Sequence, residues 1–239
     1  PNLVSGPIER ARNLLPQIET SRIVTLEKFY EGAWLVFFGL YKKILVADNL
    51  AKMTARVFES PSSFSGFEIL IASYVFVFQL YADFSGYSDM ARGLARVMGF
   101  EVMANFKTPF FSKNMAELWQ RWHISLTTWI KEYLFYPLAL AKFFGKPLGA
   151  AAVIFITWTL MGLWHGASGK FMVWGMYHGM ILVVYSRVRP YLRRIQPKKR
   201  FTSGLWNIAR AALTFHLFVM GILCFAAGSL KDVMRCAGN

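Results

Sequence analysis

"LGAAAVIFITWTLMGLWHGASGKFMVWGMYHG" (Leu148–Gly179) has no charged side chain from Leu148 to Trp164. Two histidines, His165 and His178, then flank a glycine-rich turn and the start of a second apolar run. The uncharged part approaches the ~20 apolar residues needed to cross a bilayer. Ionisable groups in such segments are costly, so each is a functional candidate by default. The stretch therefore predicts a helical hairpin in a membrane with imidazoles at its turn.

The rest of the chain fits that setting. Its 239 residues are 55% apolar and 17% aromatic, with mean hydropathy +0.36. This is too apolar for an ordinary soluble domain. Five segments approach spanning length: Phe29–Ala51, interrupted by Lys42 and Lys43; Phe67–Tyr87; Leu148–Trp164; Phe171–Ser186; and Leu205–Gly228. The first and fourth need tilting or snorkelling. We read residues 1–239 as one all-α, polytopic membrane-embedded region without internal repeats. The chain begins at Pro1 and has no signal-peptide layout, so it reads as a piece of a longer protein.

Net charge is +14, and "RVRPYLRRIQPKKR" (Arg187–Arg200) holds seven cations and no acid. Beside a span this is the positive-inside signature, which makes the segment a cytoplasmic loop facing anionic lipid headgroups. Leu148–Trp164 then runs outward, and the turn Gly166–Lys170 points away from the cytoplasm or sits in a cavity open to that side. No basic, aromatic platform lies outside the spans, so nucleic acid is not an expected partner. Cys224 and Cys236 lack metal-ligand spacing and form no disulfide framework.

Asn105–Leu140 is too polar to span but rich in aromatics. On a helical projection Trp119, Trp122, Leu126, Trp129, Ile130 and Tyr133 share one face, and Arg121, Ser125, Thr128 and Glu132 the other. This predicts an interfacial or re-entrant amphipathic helix, N-capped by Asn114, with its aromatic face on lipid or on neighbouring spans.

Each candidate residue has a structural alternative. A neutral imidazole at His165 can take and return a proton near pH 7, or simply bridge helices. Gly162, Gly166 and Gly169 permit close approach of a backbone or a substrate. His178 lies one turn after Trp174 and could approach His165 across the hairpin, or could only pack. His123 lies at the rim of the aromatic face, as a catalytic or merely interfacial group. Asp83 and Asp89 could bind a cation, or pair with Arg92 or Arg121 at a helix end. His216 lies in mid-span near Arg210, without an assigned role. No phosphate-binding glycine loop or nucleophile elbow is present.

Three blocks carry a resemblance: "SGPIERA" (Ser5–Ala11), "YADFSGYSDMARGLARVMGFEVMANFKTPFFSKNMAELWQRWHISLTTWIKEYLFYPLAL" (Tyr81–Leu140) and "LMGLWHGASGKFMVWGMYHG" (Leu160–Gly179). Together they resemble the membrane-bound O-acyltransferase (MBOAT) family. The likeness is to its bacterial branch, which includes the membrane acetyltransferase of alginate biosynthesis. The resemblance implies a multi-span helical core with funnels meeting at a central site. It makes His165 the catalytic histidine and His123 the second polar position of the site. His178 is a histidine recurring in this branch. Trp164, Trp122, Arg121, Asp83 and Asp89 are candidates to surround or bind substrate.

Two departures stand out. Lys131-Glu132 replaces the usual Arg-Asp, which loses arginine's bidentate fork, and "ALAKFFGKP" replaces a glycine-rich turn. The family's first spans are also absent from this sequence. The resemblance further implies transfer of an acyl group, acetyl above all, in the bacterial inner membrane. The donor would be a cytoplasmic thioester such as acetyl-CoA, with no bound cofactor or metal. The acceptor would be an extracytoplasmic polysaccharide, reached directly or through an exported SGNH-hydrolase-like acetyltransferase within the polysaccharide machinery. D-alanyl transfer to teichoic acid is the alternative within the family. A proton-coupled transporter and a non-catalytic scaffold are the readings from other classes.

Overall fold

The computed structural model describes residues 6–238 other than 144 and 198. Ser5, Phe144 and Lys198, which fall in segments quoted above, lie outside the described residues. A short helix α1 (Ala11–Glu19) leads to α2 (Leu26–Leu40), which continues through a π-helical turn (Tyr41–Ala47) into α3 (Asp48–Glu59). The long α4 (Gly66–Val97) follows, opened by a capping box between Ser65 and Glu68. Short helices α5 (Met115–Arg121), α6 (Ile124–Ile130) and α7 (Tyr136–Leu140) come next, with a π-helical turn (Lys131–Phe135) between the last two. Then come α8 (Ala150–His165), α9 (Gly169–Arg194), α10 (Arg200–Ala226) and α11 (Leu230–Gly238). One departure from an all-helical chain is a two-residue antiparallel pairing of Lys142–Phe143 with Lys146–Pro147, turned at Gly145 with φ 78°.

Among the described residues, two of the five expected spans, α4 and α10, are long and apolar enough to cross a membrane. Helix α8 is apolar but only 16 residues long. Helix α9 reaches 26 residues because it runs on through the basic segment expected to be a loop. Only residues 195–199 are left to connect it to α10. Arg193 and Arg194 occupy its last turn, where the helix dipole favours cations. In the first expected span the π-helical turn sets Lys42 and Lys43 toward α4, where carboxylates meet them.

Without a hydrophobic drive between helices in lipid, close packing of small residues holds such helices together. A Cβ on Gly39 would lie 2.5 Å from the Gly86 carbonyl, and one on Gly93 2.5 Å from that of Gly32. So α2 and α4 touch backbone to backbone at two levels. Helices α8 and α9 do the same. A Cβ on Gly162 or Gly175 would drive into the facing carbonyl of Phe171 or Trp158. The close approach foreseen for Gly162 is therefore with α9 itself.

The Asn105–Leu140 region departs most from expectation. It is not one amphipathic helix but α5 and α6, broken at Trp122–His123. Asn114 does cap α5, its side chain accepting from the Glu117 amide at 2.9 Å. The aromatic face lies on neighbouring helices. Trp119, Trp122, Leu126 and Ile130 are buried in the central cluster with Trp158, Trp174 and Phe218, while Tyr133 stays exposed. The N-terminal segment docks on the outer side of this region. Arg10, 7% exposed, donates from Nε to Glu132 at 2.7 Å.

A candidate two-histidine site

His123 sits where the chain turns left-handed, at φ 43° and ψ 52°, between α5 and α6. Few residues other than glycine adopt this conformation, though Asn, Asp and His do so more than most. Buried Asn105 holds the turn. Its backbone carbonyl accepts from the Ile124 amide at 2.9 Å, and its side-chain oxygen accepts from the Ser125 amide at 3.1 Å. Its amide nitrogen donates to Ser88 of α4 at 3.2 Å. Two amides at the start of α6 are thus capped from another segment. The His123 ring stands edge-on to Phe84, with centroids 4.6 Å apart. Burial holds its imidazole below the usual histidine range, and nearby His165 pushes the same way.

His165 ends α8, just before the turn. Its ring is bounded by Trp174 at 5.1 Å, Phe225 at 5.1 Å and Trp164 at 5.2 Å, all edge-on. Gly166 follows, where a Cβ would lie 2.7 Å from the Phe171 ring. The helix end and the aromatic cage hold the imidazole, with no charged partner among the described residues.

Both histidines open onto one cavity of about 70 Å³. Helices α4, α5, α6, α8, α9 and α10 all supply walls, including Phe84, Trp122, Met161, Trp174, Phe218 and Phe225. Thr127 adds a hydroxyl to the lining. The space has room for about two waters or a group of a few heavy atoms. Two imidazoles in a largely apolar chamber can hold a hydroxyl, move its proton and donate to a developing oxyanion.

A model of the MBOAT, membrane-bound O-acyltransferase family, matches residues 1–227. The chain belongs to that family. It is 38% identical to the "Probable alginate O-acetylase AlgI" of Pseudomonas syringae pv. tomato, over all of this chain and 43% of that protein. It is 30% identical to a peptidoglycan O-acetyltransferase of Helicobacter pylori, over 98% of this chain and 44% of that one. A teichoic acid D-alanyltransferase of Bacillus subtilis is 27% identical, over 95% and 58% respectively. The chain thus spans less than half the length of its alginate-type relatives.

Within this MBOAT chain the other candidates fall into three groups. Trp122 lines the cavity with the two histidines. His178 does not. It is fully buried, ringed by Trp119, Trp174 and Tyr177, and neither ring nitrogen has a hydrogen-bond partner among the described residues. Trp174 packs against both His178 and His165. The remaining four lie outside the cavity lining. Trp164 is 55% exposed. Arg121 pairs with Glu117 at 2.8 Å and donates to Thr108 at 3.4 Å. Asp89 pairs with Lys42 and Asp83 with Lys43, both at 2.6 Å. The expected pairing with Arg92 is present at Asp89, at 3.7 Å, beside the closer Lys42. Arg121, the other expected partner, turns to Glu117 instead. Sequence reading missed Asn105 and Thr127, because neither stands in a periodic or motif position that marks it.

Proposed function

We propose that this region forms the catalytic core of a membrane O-acyltransferase, using His165 and His123. The acyl group, acetyl in the favoured reading, comes from a cytoplasmic thioester donor such as acetyl-CoA. It goes toward hydroxyls of an extracytoplasmic polysaccharide, directly or through an exported SGNH-hydrolase-like partner enzyme. The setting is a multi-pass protein of the bacterial inner membrane. The observation that carries this reading is the shared cavity, in a chain of the MBOAT family.

In the proposed step the acceptor oxygen attacks the thioester carbonyl carbon. Its proton passes to neutral His165. His123 donates to the oxyanion of the tetrahedral intermediate. The intermediate collapses, the carbon–sulfur bond breaks, and the departing thiolate recovers the proton from the imidazolium. The space beside the two histidines has room for a two-carbon acyl group. The names of the relatives at 30% identity and above favour acetyl over D-alanyl. A transporter with a proton relay through Asp83, Asp89 and His165 has less support. Both aspartates are tied to lysines, and neither lines the cavity.

The test is ester-linked acetate on the envelope polysaccharide, in a host deleted for its own copy and given the full-length gene. His165→Ala at matched membrane levels is expected to lose acetate by roughly 10²-fold or more. Equal acetate in both strains leaves a scaffold or a transporter.

A further inference from the structure

A second cavity lies between α9 and α10. It is a groove of about 480 Å³, walled by Met180, Val184 and Val188 on one side and Leu213 and Leu217 on the other. From Met180 to Leu192 the groove follows α9 for about 18 Å at the helical rise, close to the ~15 Å depth of one leaflet. Its end at Tyr185, Leu192 and Arg210 continues into a polar pocket of about 180 Å³ lined by Arg189, Arg193 and Gln196. Among the described residues, Arg189, Arg193 and Arg210 have no carboxylate partner. Arg210 is held in place by donating to the Lys113 carbonyl at 3.2 Å.

We infer that this groove binds one anionic glycerophospholipid, with its phosphate among Arg189, Arg193 and Arg210 and an acyl chain between α9 and α10. Charge complementarity selects the occupant. Three guanidiniums without a carboxylate partner among the described residues sit at one end of an apolar groove, and a neutral apolar helix would leave them unpaired. Basic pockets between membrane helices hold anionic headgroups by the same physics. The segment that diffuse charge alone would assign to general lipid attraction thus contains a built site, independent of the acyl-transfer reading.

The test uses the full-length protein purified from mixed vesicles of phosphatidylglycerol and phosphatidylcholine, with retained lipids counted by native mass spectrometry. Wild type is expected to keep one phosphatidylglycerol with a preference of roughly tenfold or more. Arg189→Gln/Arg193→Gln/Arg210→Gln is expected to lose that preference. Leu213→Trp, which fills the apolar slot and leaves the arginines in place, is expected to lose the lipid as well. Arg187→Gln/Arg194→Gln/Arg200→Gln removes equal charge from the same two helices outside the pocket and is expected to keep it. The inference is overturned if the two arginine sets behave alike, or if Leu213→Trp retains the lipid. It is overturned too if wild type retains none because another helix of the full-length protein fills the groove.

Discussion

The His123 imidazole reaches the cavity because the backbone beneath it turns left-handed, and that turn depends on hydrogen bonds that Asn105 accepts from the Ile124 and Ser125 amides. A residue held in this region of conformational space costs on the order of 1–3 kcal/mol and persists only where its surroundings impose it. Asn105→Leu keeps the side chain's size but leaves the Ser125 amide buried and unpartnered, at about 1–3 kcal/mol. With His123 loosened, the turnover rate is expected to fall roughly ten- to hundredfold. Asn105→Asp, which keeps the accepting oxygen, should recover part of the loss. Rates from the three proteins at equal membrane levels check this. An unchanged rate in Asn105→Leu would mean that the turn does not position His123. The two histidines were legible in the sequence because imidazoles in apolar surroundings stand out. Asn105 was not, because its role exists only once a loop lies across the start of α6.

At the scale of elements, glycine faces decide which helices touch. The glycines of α8 and α9 permit backbone contact between them, and that contact sets where His165 emerges. Gly162→Leu must push the helices apart, at about 1–3 kcal/mol or more. It should lower the thermal unfolding temperature of the detergent-solubilised protein. Gly204→Ala, whose added carbon meets nothing within 4 Å, should leave that temperature unchanged or slightly raised. Equal effects from both would refute the packing account.

The apolar runs were legible as helices because their composition permits little else in a bilayer. The extent of α9 was not, because a cation-rich stretch reads equally as a loop or as a helix end. The break between α5 and α6 was hidden for a related reason. The 3.6-residue pattern continues through it, and the bonds made at the break are tertiary: the Ile124 and Ser125 amides donate to Asn105, and the Lys107 amide donates to the Arg121 carbonyl.

Arg10 and Glu132 join two elements distant in sequence, and their contact titrates. The hydrogen bond from Arg10 holds the Glu132 carboxyl below its ordinary value. A carboxylate with a lowered folded value stabilises the fold above its unfolded value, and that contribution disappears as pH falls through the folded one. Glu132→Gln should therefore lower the unfolding temperature at pH 7. Its difference from wild type should shrink as pH drops below about 4. A difference that does not change with pH would assign the effect to packing instead.

Across the whole molecule, one aromatic core carries the two histidines on different supports. His165 comes at the end of the apolar helix α8 and His123 at the break between α5 and α6. Six helices must assemble before the cavity exists, which is why neither residue's pairing could be read along the chain. The membership in a membrane-bound acyltransferase family gives that cavity its proposed chemistry. If the histidines serve one transfer event, their losses do not add. The decisive measurement is the acetyl-transfer rate of the full-length enzyme as wild type, His165→Ala, His123→Gly and the double variant, at matched membrane levels. Glycine at 123 keeps the left-handed turn. The account predicts large losses in both single variants and a double variant scarcely worse than His165→Ala. A wild-type rate in His165→Ala, or two losses that multiply in the double variant, would contradict it.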